Sequence, residues 1–380
     1  MNYSDADALL WWAPRILGPL QPMAPPLLTI PPSASNQRAQ FVAAYSVLEQ
    51  AVAEKAFPGA AFAVLAAGEL LALDGIGRFT YDPSARPVTS STVYDLASLT
   101  KVIATTSMAM LLFQRGQLSL DQPLPSILSG MVTPRLLLAH ASGLPGYARL
   151  FAESSDGEEL LAACRRLPLA NPPGTHAEYS DPGFILLGQA LEAIAGETIE
   201  SFCEREVFIP LKMTSTRFRP PDAWRPFIPP TEEDLTFRRR VLQGEVQDEN
   251  CFVLGGVAGH AGLFSNALDP LLYAQALFNH QPFTAETVQL FTARADLPPG
   301  SSRALGWDTP SVPSSSGVFF SRRSAGHLGY AGTSLWIDFD REVAVVLLTN
   351  RTWPDRQSHA IRTVRPAFHD AVIGALVRKG

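Results

Sequence analysis

Ser98 and Lys101 stand three residues apart in the stretch Ser98-Leu99-Thr100-Lys101. On a helix, residues i and i+3 share a face and their side chains meet. A serine hydroxyl becomes a nucleophile only when a base removes its proton. A lysine amine is such a base once desolvation or a neighbouring positive charge lowers its pKa. Arginine cannot take that part, because its guanidinium stays protonated in proteins. The chain has only four lysines, Lys55, Lys101, Lys212 and Lys379, and Lys101 is the one charged residue between Ser98 and Gln114. A helix N-terminus at Ser98 would add free N–H groups suited to a developing oxyanion. The tetrad alone is a weak signal, since a helix-capping serine and a lysine snorkelling to the surface give the same letters.

Two further clusters bear on it. Tyr179-Ser180-Asp181 precedes an apolar helical run, and a tyrosine beside a lysine ammonium can shuttle protons. Tyr3-Ser4-Asp5 repeats the pattern without a helix behind it. His327-Leu328-Gly329 stands before a β-rich run at Thr333, where a glycine lets backbone N–H groups approach a substrate oxygen. His260-Ala261-Gly262 matches that pattern but is followed by a helix. His260 reads as a packing or loop-holding residue or, alternatively, as one that faces the site or binds a metal with Asp248 or Glu249, and His140 as a hydrogen-bonded core histidine. No metal-ligand spacing, G-x-S-x-G elbow or phosphate-cradling loop is present, so neither a metal nor a cofactor is expected.

The elements that must hold these residues follow from periodicity. Residues 13–36 are rich in proline and read as an extended arm, and a helix is expected over 37–55. Residues 60–77 read as a hairpin turning at Gly68, and Ser98–Arg115 as a helix stopped by Gly116. The interval 117–250 looks mostly helical, with proline-rich loops at 123–134, 168–182 and 220–230 and a clear helix from Phe184 to Ala195. Another helix is expected near 270–279, capped by Asp269. Thr333–Phe339 and Val343–Asn350 read as strands, and a final helix as 355–377. Strands at both ends with helices between them predict an α+β fold: one antiparallel sheet built from both chain ends, flanked by helices. The expected division is an arm over 1–36, a discontinuous sheet domain over 37–116 and 251–380, and a helical region over 117–250.

Composition limits the function classes. The chain has 380 residues, 46% hydrophobic and 17% charged, with net charge −6, which suits a globular protein with a large core. Arg238-Arg239-Arg240 follows Glu232-Glu233-Asp234, an alternation that predicts a solvated face and argues against nucleic-acid binding. Cys164, Cys203 and Cys251 match no zinc or redox spacing and read as buried thiols. No apolar run is long enough for a membrane span. The N-terminal MNYSDADALLWWAPRILG lacks a positive leader region and is broken by Pro14, so a cytoplasmic location is expected. A chain trimmed of a leader would look the same and would suit the periplasm. Oligomeric state is open.

Serine, lysine, tyrosine and H-x-G occur in the order of the serine β-lactamase and penicillin-binding protein superfamily. The chain most resembles its class C β-lactamase-like branch of esterases, D-amino-acid peptidases and penicillin-binding carboxypeptidases. The resemblance covers about residues 40–375 and is carried by DLASLTKV (95–102), LLLAHASGLPGY (136–147), PPGTHAEYSDPGFILLG (172–188), GGVAGHAGLFS (255–265), GHLGYAGTSLWID (326–338) and LLTNR (347–351). It implies that Ser98 is acylated, that Lys101 and Tyr179 act as base and acid, and that the N–H groups of Ser98 and Tyr330 bind the oxyanion. Asp181 stands where many members carry asparagine and is expected to bond Lys101 or substrate, keeping Lys101 protonated. His327 replaces the lysine of the K-T-G element, which disfavours β-lactam carboxylates. Arg351 either supplies that charge instead or forms a structural surface pair. The implied partner is a small molecule or peptidoglycan fragment, an ester or D-amino-acid amide or peptide. β-Lactamase activity and a non-catalytic binding role are the alternatives.

Overall fold

The computed structural model describes residues 34–124 and 132–377. Most of the proline-rich arm and residues 125–131 of the 123–134 loop lie outside the described residues. Residues 34–36 belong to a helix, not to an extended arm. The helix expected over 37–55 is two, α1 (Ala34–Gln40) and α2 (Val42–Ala53), divided at the buried Phe41.

The hairpin forms as β1 (Gly59–Ala66) and β2 (Glu69–Gly77). Its two-residue turn, Ala67-Gly68, has positive φ at both positions, as a twist-compatible tight hairpin requires. β3 (Tyr94–Asp95) then leads to the Ser98 segment. The helix expected there is not uniform. Lys101–Thr106 is π-helical and only Ser107–Gln114 (α3) is α-helical. The Tyr273 hydroxyl donates to the Val102 carbonyl at 3.0 Å and so satisfies an acceptor in the widened turn.

The middle of the chain is helical up to about residue 208: α4 (Pro134–Leu138), α5 (Gly157–Arg165), α6 (Asp181–Ala195) and α7 (Ile199–Cys203). Beyond that it departs from the helical expectation. It carries β4 (Arg217–Phe218) and a small hairpin, β5 (Glu232–Asp234) and β6 (Arg240–Leu242). The charge alternation there is a solvated face only in part: Glu233, Arg239 and Arg240 are exposed, while Asp234 and Arg238 turn inward. The Arg238 guanidinium is buried on Asp234 and the carbonyls of Val246 and Gln247.

α8 (Glu249–Val253), β7 (Leu263–Ser265), α9 (Asp269–Phe278) and α10 (Ala285–Thr292) follow. Asp269 lies inside the first turn of α9; Leu268 is the cap residue. The chain closes with β8 (Ser324–Leu328), β9 (Ser334–Asp338), β10 (Val343–Thr349) and α11 (Ile361–Val377), the last shorter than expected. His327 and Leu328 are part of an edge strand and not of a loop ahead of one.

The main sheet is antiparallel in the order β2-β1-β10-β9-β8, so the two chain ends meet at β1 and β10, with Val64 opposite Val345. Strand alternation sorts the residues. Phe62, Val64, Trp336, Val345 and Leu347 pack under α2 and α11. Ala61, Ala63, Leu65, Leu335, Ala344 and Val346 face the core that contains the Ser98–Gln114 segment. Burial on both faces explains why β1 and β10 read as continuous apolar runs.

Candidate active site

Ser98 is presented by an elbow. Ala97 has φ +48°, a left-handed conformation that turns the chain sharply before Ser98. Asp95 braces it: one carboxylate oxygen accepts the Ala97 N–H and the other the Gln247 N–H, each at 2.8 Å. Burial outweighs those hydrogen bonds and raises the Asp95 carboxyl to about 6. Thr100 ties the elbow to β7, donating to the Ala97 carbonyl at 2.7 Å and accepting from the Leu263 N–H at 3.1 Å.

Lys101 is fully buried and uses its three donors on three acceptors. These are Ser98 Oγ at 3.1 Å, Asp181 Oδ1 at 2.6 Å and the His260 carbonyl at 3.0 Å. Burial pulls the lysine toward neutrality, but Asp181 and Tyr179 outweigh it and leave its pKa above the ordinary lysine value. The amine is therefore held as an ammonium.

Tyr179 and Asp181 arrive from the start of α6. Ser180 caps that helix by accepting the Gly183 N–H, and Gly196 in the left-handed region ends it. The segment is pinned to residues 140–146: the Ser180 N–H donates to His140 Nδ1 at 3.0 Å and the Asp181 N–H to the Gly146 carbonyl at 3.0 Å. The Tyr179 ring lies between two imidazoles, with centroids 4.6 Å from His140 and 5.8 Å from His327. Lys101 Nζ sits 4.8 Å and the Arg303 guanidinium 5.5 Å from the ring centre. Burial raises the phenol's pKa, and the opposing pull of Lys101 and of hydrogen bonding to Lys101 and Ser98 does not cancel it. The hydroxyl rests in its neutral form.

The turn between β8 and β9 closes over the elbow. The Thr333 hydroxyl donates to the Leu96 carbonyl at 2.9 Å, and a Cβ on Gly329 would stand 2.5 Å from that same oxygen. Only glycine permits this approach, and Tyr330, next in the chain, lines the same cavity as Ser98. Among the described residues, neither the Ser98 nor the Tyr330 N–H donates to a protein acceptor. Arg351 is no surface pair. It is buried, stacks 4.3 Å over the Tyr330 ring, and donates to the carbonyls of Tyr330, Arg356 and Ser358. His327 is buried, with Nδ1 at 2.8 Å from the Leu328 carbonyl.

Ser98, Tyr179, Asp181, His260, His327, Gly329, Tyr330 and Arg351 all line one cavity of about 710 Å³. Several supporting residues escaped the sequence reading. Arg365 on α11 donates to the Gly329 and Thr333 carbonyls, and burial pushes its guanidinium down to about 9. Arg303 flanks Tyr179 from a region without a motif. Asp248, by contrast, was one of the two partners the sequence offered for His260, and it binds His260 Nε2 at 2.8 Å; burial would raise its carboxyl, but His260 outweighs that and holds it at about 2. Asp95 did carry a signal, as a lone acid inside the apolar run Val93–Leu99. Among the described residues, no group of three or more histidines, cysteines, aspartates or glutamates is placed to hold a metal ion. No described helix is long and apolar enough to cross a membrane.

The sequence matches the Beta-lactamase family over residues 45–367. It is 32% identical over 318 residues to an Escherichia coli O157:H7 protein named "Putative D-alanyl-D-alanine carboxypeptidase", covering 71% of this chain and 73% of that one. It is 30% identical over 344 residues to the N-acetylmuramyl-L-alanine amidase of Bacillus subtilis (strain 168), covering 78% and 77%. The fold resembles that of the octameric penicillin-binding protein homologue from Pyrococcus abyssi, with TM-score 0.71 at 22% identity over 87% of this chain and 77% of that one. With family and fold in agreement, the chain belongs to the Beta-lactamase family, within the serine β-lactamase and penicillin-binding protein superfamily, and is a serine hydrolase of the acyl-enzyme type.

Proposed function

We propose that the protein hydrolyses an amide or ester bond in a peptidoglycan-type substrate by acyl transfer to Ser98. The observation that carries this reading is the full coordination of the buried Lys101 ammonium by Ser98, Asp181 and the His260 carbonyl, with Tyr179 alongside. The ammonium donates to Ser98 Oγ and so favours the alkoxide that must form. Tyr179, neutral at rest, relays the proton. As Ser98 Oγ bonds to the substrate carbonyl carbon, its proton passes to Tyr179, and Tyr179 gives its own to the leaving nitrogen or oxygen as that bond breaks. Water repeats the sequence on the acyl-enzyme, returning the hydroxyl to Ser98. The Ser98 and Tyr330 N–H groups stabilise the oxyanion in both steps. The relatives named for carboxypeptidase and muramyl-amidase action support a cell-wall fragment as substrate, and esters share the same acyl chemistry.

Intact-mass analysis after fluorophosphonate treatment tests it. One adduct on the wild-type chain and none on Ser98→Ala is expected, with hydrolysis falling by roughly a thousandfold or more in the variant. Full activity in Ser98→Ala would end this reading.

A further inference from the structure

Acyl transfer as described uses His260 only through its backbone carbonyl, which accepts from the Lys101 ammonium at 3.0 Å. The imidazole of the same residue aims that carbonyl. The ring is buried, and its Nε2 lies 2.8 Å from Asp248 Oδ1. The Asp248 carboxyl, held at about 2, is ionised and only accepts, so Nε2 carries the hydrogen. Nδ1 has no partner among the described residues, which leaves Asp248 as the ring's one hydrogen-bond anchor there. The peptide that carries the carbonyl has no second tie: its other end, the Ala261 N–H, donates to no described acceptor. The neighbouring peptides are fixed separately, Gly259 by the Thr105 hydroxyl at 2.6 Å and Ala261 by the Cys251 thiol at 3.2 Å.

Asp248 is itself placed from the side of the nucleophile. The Asp95 carboxylate accepts the N–H of Ala97, one residue before Ser98, and that of Gln247, one residue before Asp248. Asp248 Oδ1 also accepts the Cys251 N–H at 2.7 Å and so caps α8. One frame therefore fixes Ser98 and the third acceptor of Lys101 relative to each other.

We propose that Asp248 is a positioning residue for acyl transfer: it holds the His260 imidazole, and the imidazole holds the His260 carbonyl on the Lys101 ammonium. This rests on the acyl-transfer reading of Ser98. The titratable groups around Lys101 are Asp181 and Tyr179 at α6, Asp248 and the Cys251 thiol at α8, and the His140 and His327 imidazoles, which burial keeps uncharged. With the carbonyl turned away, one ammonium donor is left unpaired in a buried site, and the neutral amine gains.

The test follows the rate of Ser98 labelling by a fluorophosphonate against pH, read by intact mass, with circular dichroism on each variant. His260→Ala leaves the Asp248 charge in place but cuts its tie to the loop. Asp248→Ser keeps a helix-capping hydroxyl but is too short to reach the imidazole. Each should slow labelling near neutrality by roughly 10–100-fold and move the alkaline limb down by about 1–2 units. His260→Gln, whose amide donates to Asp248, and Asp248→Asn, whose carbonyl oxygen still accepts, should recover most of both losses. A role confined to capping α8 would spare His260→Ala. Direct attraction between Asp248 and Lys101 would make Asp248→Asn as poor as Asp248→Ser. Either result overturns the inference, and so does a wild-type alkaline limb in Asp248→Ser. Where His260→Ala does not fold, the two Asp248 variants decide. Failure of the wild-type chain to label at Ser98 strikes instead the acyl-transfer reading beneath it.

Discussion

The charge of Lys101 is settled by Asp181. Asparagine at that position would offer a hydrogen bond without the carboxylate, and the balance between burial and attraction would tip the other way. Asp181→Asn should therefore lower the Lys101 pKa. The ammonium is then lost at lower pH, and the alkaline limb of the pH–kcat/KM profile moves down by about 1–3 units. A rise in activity near neutrality would instead identify neutral Lys101 as the base and displace Tyr179 from that part. The i,i+3 placement of Ser98 and Lys101 was legible in the sequence because helix geometry is local. The charge state was reached only through the resemblance, which brought Asp181 to Lys101; helix geometry could not give it, because the two other partners lie 80 and 159 positions away.

Elements act here mainly by close approach. The glycine-rich stretch 255–262 passes over the Ser98 segment so that its carbonyls become ligands: Gly259 accepts from Thr105 at 2.6 Å and His260 from Lys101. A Cβ on Gly259 would come within 2.1 Å of the Phe184 carbonyl and would lift the loop from α6. Gly329 does the same for the β8–β9 turn. In Gly329→Ala the new Cβ would meet Thr333 Oγ1 at 2.0 Å and Leu96 O at 2.5 Å, so the turn must retreat and take the Tyr330 N–H with it. Loss of one oxyanion donor predicts a fall in kcat of roughly 10²–10³-fold. Steady-state kinetics beside circular dichroism would show the loss in a folded protein; a drop of under threefold would mean the Tyr330 N–H is not used. The sequence named these glycines but not what they approach. The π-helical turn at Lys101–Thr106 had no sequence signal, since its acceptor is met by Tyr273, far along the chain.

In the molecule as a whole, the Ser98 segment and α2 pack on opposite faces of one sheet, while α11, on the α2 face, reaches the site through Arg365. Phe62 packs edge-on against Tyr45 and Phe368, with ring centroids 5.2 Å and 5.6 Å away, on the face remote from Ser98. Phe62→Ala should cost about 3–5 kcal/mol of stability. Denaturant unfolding would read the loss, while the folded fraction still takes one fluorophosphonate per Ser98. A stable variant would mean that α2 and α11 close over the gap.

The alternation of apolar residues fixed the hairpin, the terminal strands and the antiparallel sheet, because strand and helix periods are local properties of the chain. It failed between residues 209 and 250, where short strands and loops take their shape from partners elsewhere, as the buried Arg238 does. Residue types and their order along the chain named Ser98, Lys101, Tyr179 and His327. Tertiary structure decided how those residues are held: an ammonium on three acceptors, a neutral phenol, and an imidazole with Nδ1 on the Leu328 carbonyl and Nε2 buried without a protein partner. Burial and long-range neighbours set protonation and tautomer, and neither is written in the local sequence.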